Sequence, residues 1–165
     1  MTPKLQKKAE KIELFITDVD GVLTDGRIVL GNDGEELKFF HVQDGMGLKL
    51  AQEAGIEVAI ITGRESKLVR QRADELAIDE VHQNIKDKVE VFNNLLAKQG
   101  ITAEEVAYIG DDVNDLPILE RVGLALTVAN GVDKVKEEAD YVTEREGGRG
   151  AVREAVELVL EYKTN

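Results

Sequence analysis

The chain contains no cysteine, which excludes a disulfide framework, a thiolate metal site and a cysteine nucleophile. It has two histidines, His41 and His82, too few and too far apart to suggest a zinc site. No apolar run approaches the roughly 20 residues that a membrane-spanning helix needs. The charged segment 1–11 has no signal-peptide core. Positive charge is also scarce: 21 Lys and Arg against 33 Asp and Glu leave a net charge of −12. Such a surface repels the phosphate backbone of nucleic acids. No Pro/Gly/Ser-rich linker and no repeat divides the 165 residues, of which 42% are hydrophobic, enough for one core. From these absences we expect a single cytoplasmic domain over residues 1–165, with neither nucleic-acid nor membrane partners.

What is present is an alternation. Apolar, β-rich runs at residues 13–18, 58–62, 106–111 and 124–128, with a shorter one at 80–82, read as parallel strands buried on both faces. Helical spacing recurs between them: Val69, Ala73, Leu76 and Ala77; Ile85, Val89, Phe92 and Leu96; Val152, Val156, Val159 and Leu160. The expected fold is α/β, a doubly wound, Rossmann-like parallel sheet with helices on both faces. One stretch breaks the pattern. Residues 27–30 and 35–42 flank Gly31-Asn32-Asp33-Gly34, which predicts a β-hairpin over about 26–42 after the first strand. It holds Phe39 and Phe40, half of the four phenylalanines. A two-stranded ribbon is marginal alone, so these rings are expected to pack on another subunit, the plainer alternative being their own domain.

The first strand ends in Asp18-Val19-Asp20-Gly21, two carboxylates one residue apart that cannot both ionise without a partner. A turn pair would be the plainer reading, but a buried strand runs directly into them. The second strand ends in Thr62-Gly63-Arg64. The third leads towards Lys86 and Lys88, and the fourth into Gly110-Asp111-Asp112-Val113-Asn114-Asp115. If the strands are parallel, these groups converge on one rim, where open α/β sheets bind ligands. Such a rim suits phosphoryl transfer. One carboxylate attacks phosphorus, and a hard cation such as magnesium screens the repulsion. A second acid serves the leaving oxygen and then water, and a hydroxyl and an ammonium (Thr62 and Lys88) hold the phosphoryl oxygens. By pattern alone, Asp111 and Asp112 rank equally, and Lys86 competes with Lys88.

Taken together and in this order, these four motifs resemble the haloacid dehalogenase superfamily of phosphatases. The resemblance implies that Asp18 is the nucleophile and Asp20 the general acid/base. It implies that Asp18, the Asp20 backbone carbonyl and Asp111 hold Mg2+, that Thr62, Gly63 and Lys88 bind phosphate, and that Asp112 and Asp115 support the site. Asp20 speaks against dehalogenase chemistry, which needs no second acid. The motif order speaks against a phospho-accepting receiver module, in which the adjacent acids follow the first strand.

The stretches between motifs leave no room for a cap domain. Within the superfamily, residues 11 to about 162 resemble the 3-deoxy-D-manno-octulosonate 8-phosphate phosphatases, capless homotetramers of lipopolysaccharide biosynthesis whose hairpins pack together. This implies an acid-sugar phosphate substrate. Val42, Gln43, Asp44, Gly45, Lys49, Arg64 and Arg72 would lie near its sugar-acid part, and Gly147-Gly148-Arg149-Gly150 would form a mobile tail reaching a site. The tail's plainer alternative is a turn before the last helix. His41 and Gln43 depart from the family's usual Asn and Arg, which keeps a nine-carbon acid-sugar 9-phosphate open as substrate.

Overall fold

The computed structural model describes residues 3–163; residues 1, 2, 164 and 165 of the expected domain lie outside the described residues. Strands β1 (Leu14–Thr17), β4 (Glu57–Ile61), β5 (Glu80–His82), β6 (Val106–Gly110), β7 (Leu124–Thr127) and β8 (Tyr141–Val142) form a six-stranded sheet in the order β5-β4-β1-β6-β7-β8. All five pairings are parallel. From β1 the chain fills one side of the sheet, then crosses to β6 and fills the other, so the order reverses between β1 and β6. That crevice is where an open α/β sheet places its ligand.

Strand side chains alternate between two cores. Phe15, Val58, Ile60, Ala107 and Ile109 pack with α1 (Pro3–Ala9), α2 (Val42–Glu53), α3 (Lys67–Glu75) and α7 (Ala151–Lys163). Leu14, Ile16, Ala59, Ile61 and Tyr108 pack with α4 (Lys88–Gln99), α5 (Leu116–Leu119) and α6 (Asp133–Glu138). Burial on both faces explains why these strands read as continuous apolar runs.

The expected hairpin forms, but its strands β2 (Val29–Leu30) and β3 (Glu36–Leu37) are short, and Val42 opens α2 rather than closing a strand. The two phenylalanines part company. Phe40 packs on the protein's own core, whereas Phe39 is 58% exposed, and Ile28, Leu30, Leu37, Val42 and Met46 are likewise more than half exposed. No cap domain is found among the described residues.

Two helix boundaries differ from the periodicity. Asp87 caps α4, its side chain accepting from the Val89 amide at 3.0 Å, so Ile85 precedes the helix. α3 stops before Leu76 and Ala77, and Ala77 has a left-handed φ of 54° that breaks the helical path.

Candidate active site

The carboxyl ends of β1, β4 and β6 bring the expected groups together. Asp18 follows β1 and is 5% exposed. The Val19 amide donates to its Oδ1 at 2.7 Å, and Lys88 Nζ lies 2.9 Å from its Oδ2, so both oxygens are held. Lys88 opens α4 and is 4% exposed, whereas Lys86 is exposed. The competition between the two lysines is thereby decided, because the Asp87 cap sets which of them enters the rim.

Asp115 is the hub behind Asp18. Its Oδ1 accepts from Lys88 Nζ at 2.7 Å and from the Tyr108 hydroxyl at 2.6 Å. Its Oδ2 accepts from the Asp111 and Asp112 amides at 2.9 and 3.2 Å. With both oxygens engaged, Asp115 acts as a tether rather than a ligand. Sequence reasoning missed Tyr108. The signal was there: a phenol in an otherwise apolar buried strand needs a partner for its hydroxyl.

Asp18, Asp111 and Asp115 form a carboxylate group whose ligand atoms lie within 4.8 Å of one another. Each Asp115 oxygen already accepts two hydrogen bonds, whereas each Asp18 oxygen has one such partner, so Asp18 and Asp111 are the pair that fits a hard divalent cation. Gly21 makes the pair possible: its φ is +92°, and a Cβ there would strike the Asp111 carboxylate. Asp112 is exposed and turns back to accept from the Val113 amide, so the structure separates the two adjacent acids.

The electrostatics follow from packing carboxylates together out of water. Burial, then the charges of Asp18 and Asp115, raise the Asp111 pKa to about 7. Asp18 is also raised, by burial first, with Lys88 opposing and Asp115 reinforcing. Burial alone would lower Lys88, but Asp18 and Asp115 outweigh it and keep the ammonium charged. One cation shared between two carboxylates leaves Asp18 only partly compensated, so both shifts are physically consistent.

Thr62 follows β4 and is 2% exposed, with its amide donating to the His82 carbonyl at 2.9 Å, and Gly63 turns out to the surface after it. The Asp20 carboxylate is turned away from the cation group, pairing with Lys38 and standing 3.8 Å from Arg64 Nε. No sequence signal marked Lys38, since a hairpin lysine is normally solvated.

The residues expected at the sugar acid differ in exposure. Asp44 is 1% exposed and faces inward, accepting from the Gly150 and Arg153 amides at 3.2 and 2.9 Å. It therefore anchors the start of α7 rather than facing a ligand. Arg72 packs against the backbone of Gly45 and lies 3.0 Å from Glu75 Oε2. Val42, Gln43, Lys49 and Arg64 are exposed. Gln43 Oε1 accepts from Arg145 Nη1 at 3.1 Å, so a guanidinium that sequence reasoning overlooked stands at that uncharged position.

The Gly147-Gly148-Arg149-Gly150 segment is a packed turn, not a free tail. The Gly148 amide donates to the Val22 carbonyl at 2.8 Å. Gly148 has φ +66°, and a Cβ there would run into the Thr24–Asp25 backbone. His82 is half-buried and lies 3.0 Å from Glu80.

A doubly wound sheet whose switch point carries a buried, lysine-paired aspartate and a second carboxylate for a cation defines the class of metal-assisted phosphate-ester hydrolases. Residues 80–155 match the haloacid dehalogenase-like hydrolase family. The 3-deoxy-D-manno-octulosonate 8-phosphate phosphatase KdsC of Salmonella typhimurium is 51% identical over 97% of this chain and 85% of its own. The crystal structure of the Yersinia pestis 3-deoxy-D-manno-octulosonate 8-phosphate phosphatase superposes with a TM-score of 0.98 at 44% identity, covering 99% of this chain and 89% of the other. The corresponding Moraxella catarrhalis structure, in complex with magnesium ion, phosphate ion and KDO, superposes at 0.97 with 43% identity over 100% and 95% of the two chains. The chain belongs to the family of 3-deoxy-D-manno-octulosonate 8-phosphate phosphatases, within the haloacid dehalogenase-like hydrolases.

Proposed function

We propose that this protein hydrolyses 3-deoxy-D-manno-octulosonate 8-phosphate to the free acid sugar and phosphate, working as a single domain over residues 1–165. The observation that carries the reaction is Lys88 Nζ bridging Asp18 and Asp115 at the switch point. Near-full-length similarity to phosphatases of that substrate carries the choice of ester.

Asp18 attacks phosphorus, forming an O–P bond while the bond from phosphorus to the sugar oxygen breaks. Asp20 gives its proton to the departing oxygen, then takes one from a water that attacks the aspartyl phosphate and restores the Asp18 carboxylate. Lys88 and Thr62 hold the phosphoryl oxygens as charge shifts, and Gly63 leaves the backbone beside them unobstructed. Asp115 and Tyr108 fix the Lys88 ammonium in place, and Asp112 supports the loop. When bound, Mg2+ would be held by the Asp18 and Asp111 carboxylates with the Asp20 carbonyl and would supply positive charge that offsets the repulsion between a phosphate dianion and an anionic carboxylate.

The sugar acid lies along Val42, Gln43, Gly45, Lys49, Arg64 and Arg72. Arg145 supplies beside Gln43 the positive charge that a carboxylate-bearing substrate calls for. Asp44 contributes from behind, by holding α7.

The active unit is a homotetramer in the cytoplasm. Support comes from the open, capless site and from the apolar side chains of the hairpin, which face outward. No helix among the described residues is long and apolar enough to cross a membrane. The absence of cysteine suits a reducing compartment.

The experiment is phosphate release with magnesium across a panel of eight- and nine-carbon acid-sugar phosphates and neutral sugar phosphates. We expect preference for 3-deoxy-D-manno-octulosonate 8-phosphate. Asp18→Asn should lose turnover by about three orders of magnitude or more while keeping its melting temperature. Preference for a nine-carbon 9-phosphate would move the substrate and keep the chemistry. Magnesium-dependent turnover in Asp18→Asn would end the nucleophile assignment.

A further inference from the structure

Lys38 lies one residue past β3, between two exposed apolar neighbours, Leu37 and Phe39. Its own side chain is only 4% exposed. The ammonium forms an ion pair with Asp20 Oδ1 and lies 3.5 Å from Glu36 Oε1. Arg64 closes a ring of alternating charge: its Nε is 3.8 Å from Asp20 Oδ2 and its Nη2 is 3.8 Å from Glu36 Oε1. A buried ammonium is costly unless it is paired, so the hairpin would not bring Lys38 inward without these carboxylates.

The two cations of the ring are not equivalent. Arg64 is 47% exposed by side chain and, at 3.8 Å, too far from Asp20 for a hydrogen bond. It can leave the ring without breaking a short contact. Lys38 is buried and makes the close contact on Asp20. By contrast, Asp18 is held by both a backbone amide and Lys88.

We propose that Lys38 is a positioning residue for the general acid/base: the hairpin delivers a buried ammonium that fixes the orientation of the Asp20 carboxylate and hence the direction in which its proton reaches the departing sugar oxygen. This rests on the acid/base role of Asp20 proposed above. It also gives the hairpin a part in the chemistry. Two residues per strand make a weak ribbon, so whatever steadies the hairpin steadies Asp20.

The test compares kcat/KM for two esters, because that ratio reports the steps up to leaving-group departure. The 8-phosphate of 3-deoxy-D-manno-octulosonate needs a proton on its alkoxide, whereas p-nitrophenyl phosphate releases a phenolate that needs none. For Lys38→Met we expect kcat/KM to fall about tenfold or more on the sugar ester and to change less than about twofold on the aryl ester. Lys38→Arg should restore most of the loss, and Asp20→Asn should show the same discrimination with a larger fall. Should Lys38→Met not fold, Lys38→Gln reads the same comparison. Equal losses on both esters, or no loss on either, would overturn the role of Lys38 while Asp20→Asn still discriminates. If Asp20→Asn does not discriminate either, the acid/base assignment itself is wrong.

Discussion

Asp111 and Asp18 are two carboxylates that release their protons less readily than free ones. Burial is the first cause at both, followed by Asp18 and Asp115 at Asp111, and opposed by Lys88 at Asp18. Because the folded pKa lies above the unfolded value, these groups favour the fold most fully below about pH 4. The benefit fades as pH rises through about 7, the value Asp111 reaches. In EDTA the melting temperature should therefore fall by several degrees between pH 5 and pH 8. Added magnesium should raise it more at pH 8 than at pH 5, because the cation takes the place of the proton. Thermal melts of the wild type and Asp111→Asn check this. A slope in EDTA that Asp111→Asn does not flatten would remove Asp111 as its source.

Helix ends decide more of this site than helix middles do. The Asp87 cap starts α4 at Lys88 and so aims that lysine at Asp18 and Asp115. Periodicity in sequence marks the apolar face of a helix but says little about its first residue, so Ile85 fits the helical spacing without belonging to α4 and Lys86 competes with Lys88. Asp44 performs the corresponding task for α7, accepting from the Gly150 and Arg153 amides and placing a negative charge at the helix start. Asp44→Ala should cost about 1–2 kcal/mol of stability and leave KM for the sugar phosphate within about twofold, since the side chain is 1% exposed. Denaturant unfolding and steady-state kinetics separate the two effects. A large KM increase with unchanged stability would return Asp44 to the substrate.

Across the whole molecule, the exposed apolar side chains concentrate on the hairpin and the start of α2: Ile28, Leu30, Leu37, Phe39, Val42 and Met46. Self-association through this surface would cover it and bring a neighbour towards an open rim. Phe39→Asp should turn the proposed tetramer into smaller species in light scattering and lower kcat/KM on the sugar phosphate about tenfold or more, since an open site loses both coverage and a steady hairpin. A wild-type monomer at micromolar concentration would refute the tetramer and leave this patch without its partner.

The sequence by itself determined the sheet and the rim. Strands buried on both faces must be apolar throughout, so β1, β4, β6 and β7 announce themselves. Carboxylates directly after such runs can only sit at strand ends, which a parallel sheet gathers on one edge. The tertiary structure alone decided which groups meet there. It separated Asp111 from Asp112 and Lys88 from Lys86, pairs that spacing alone ranks equally, turned Asp44 inward, packed the glycine-rich segment against the loop after Asp18, and brought Lys38 to Asp20 and Arg145 to Gln43. Each of these choices depends on where a side chain points and on a partner far along the chain, as with Asp44 and Arg153 or Lys88 and Asp115. Local pattern encodes burial; direction and pairing exist only once the chain has closed on itself.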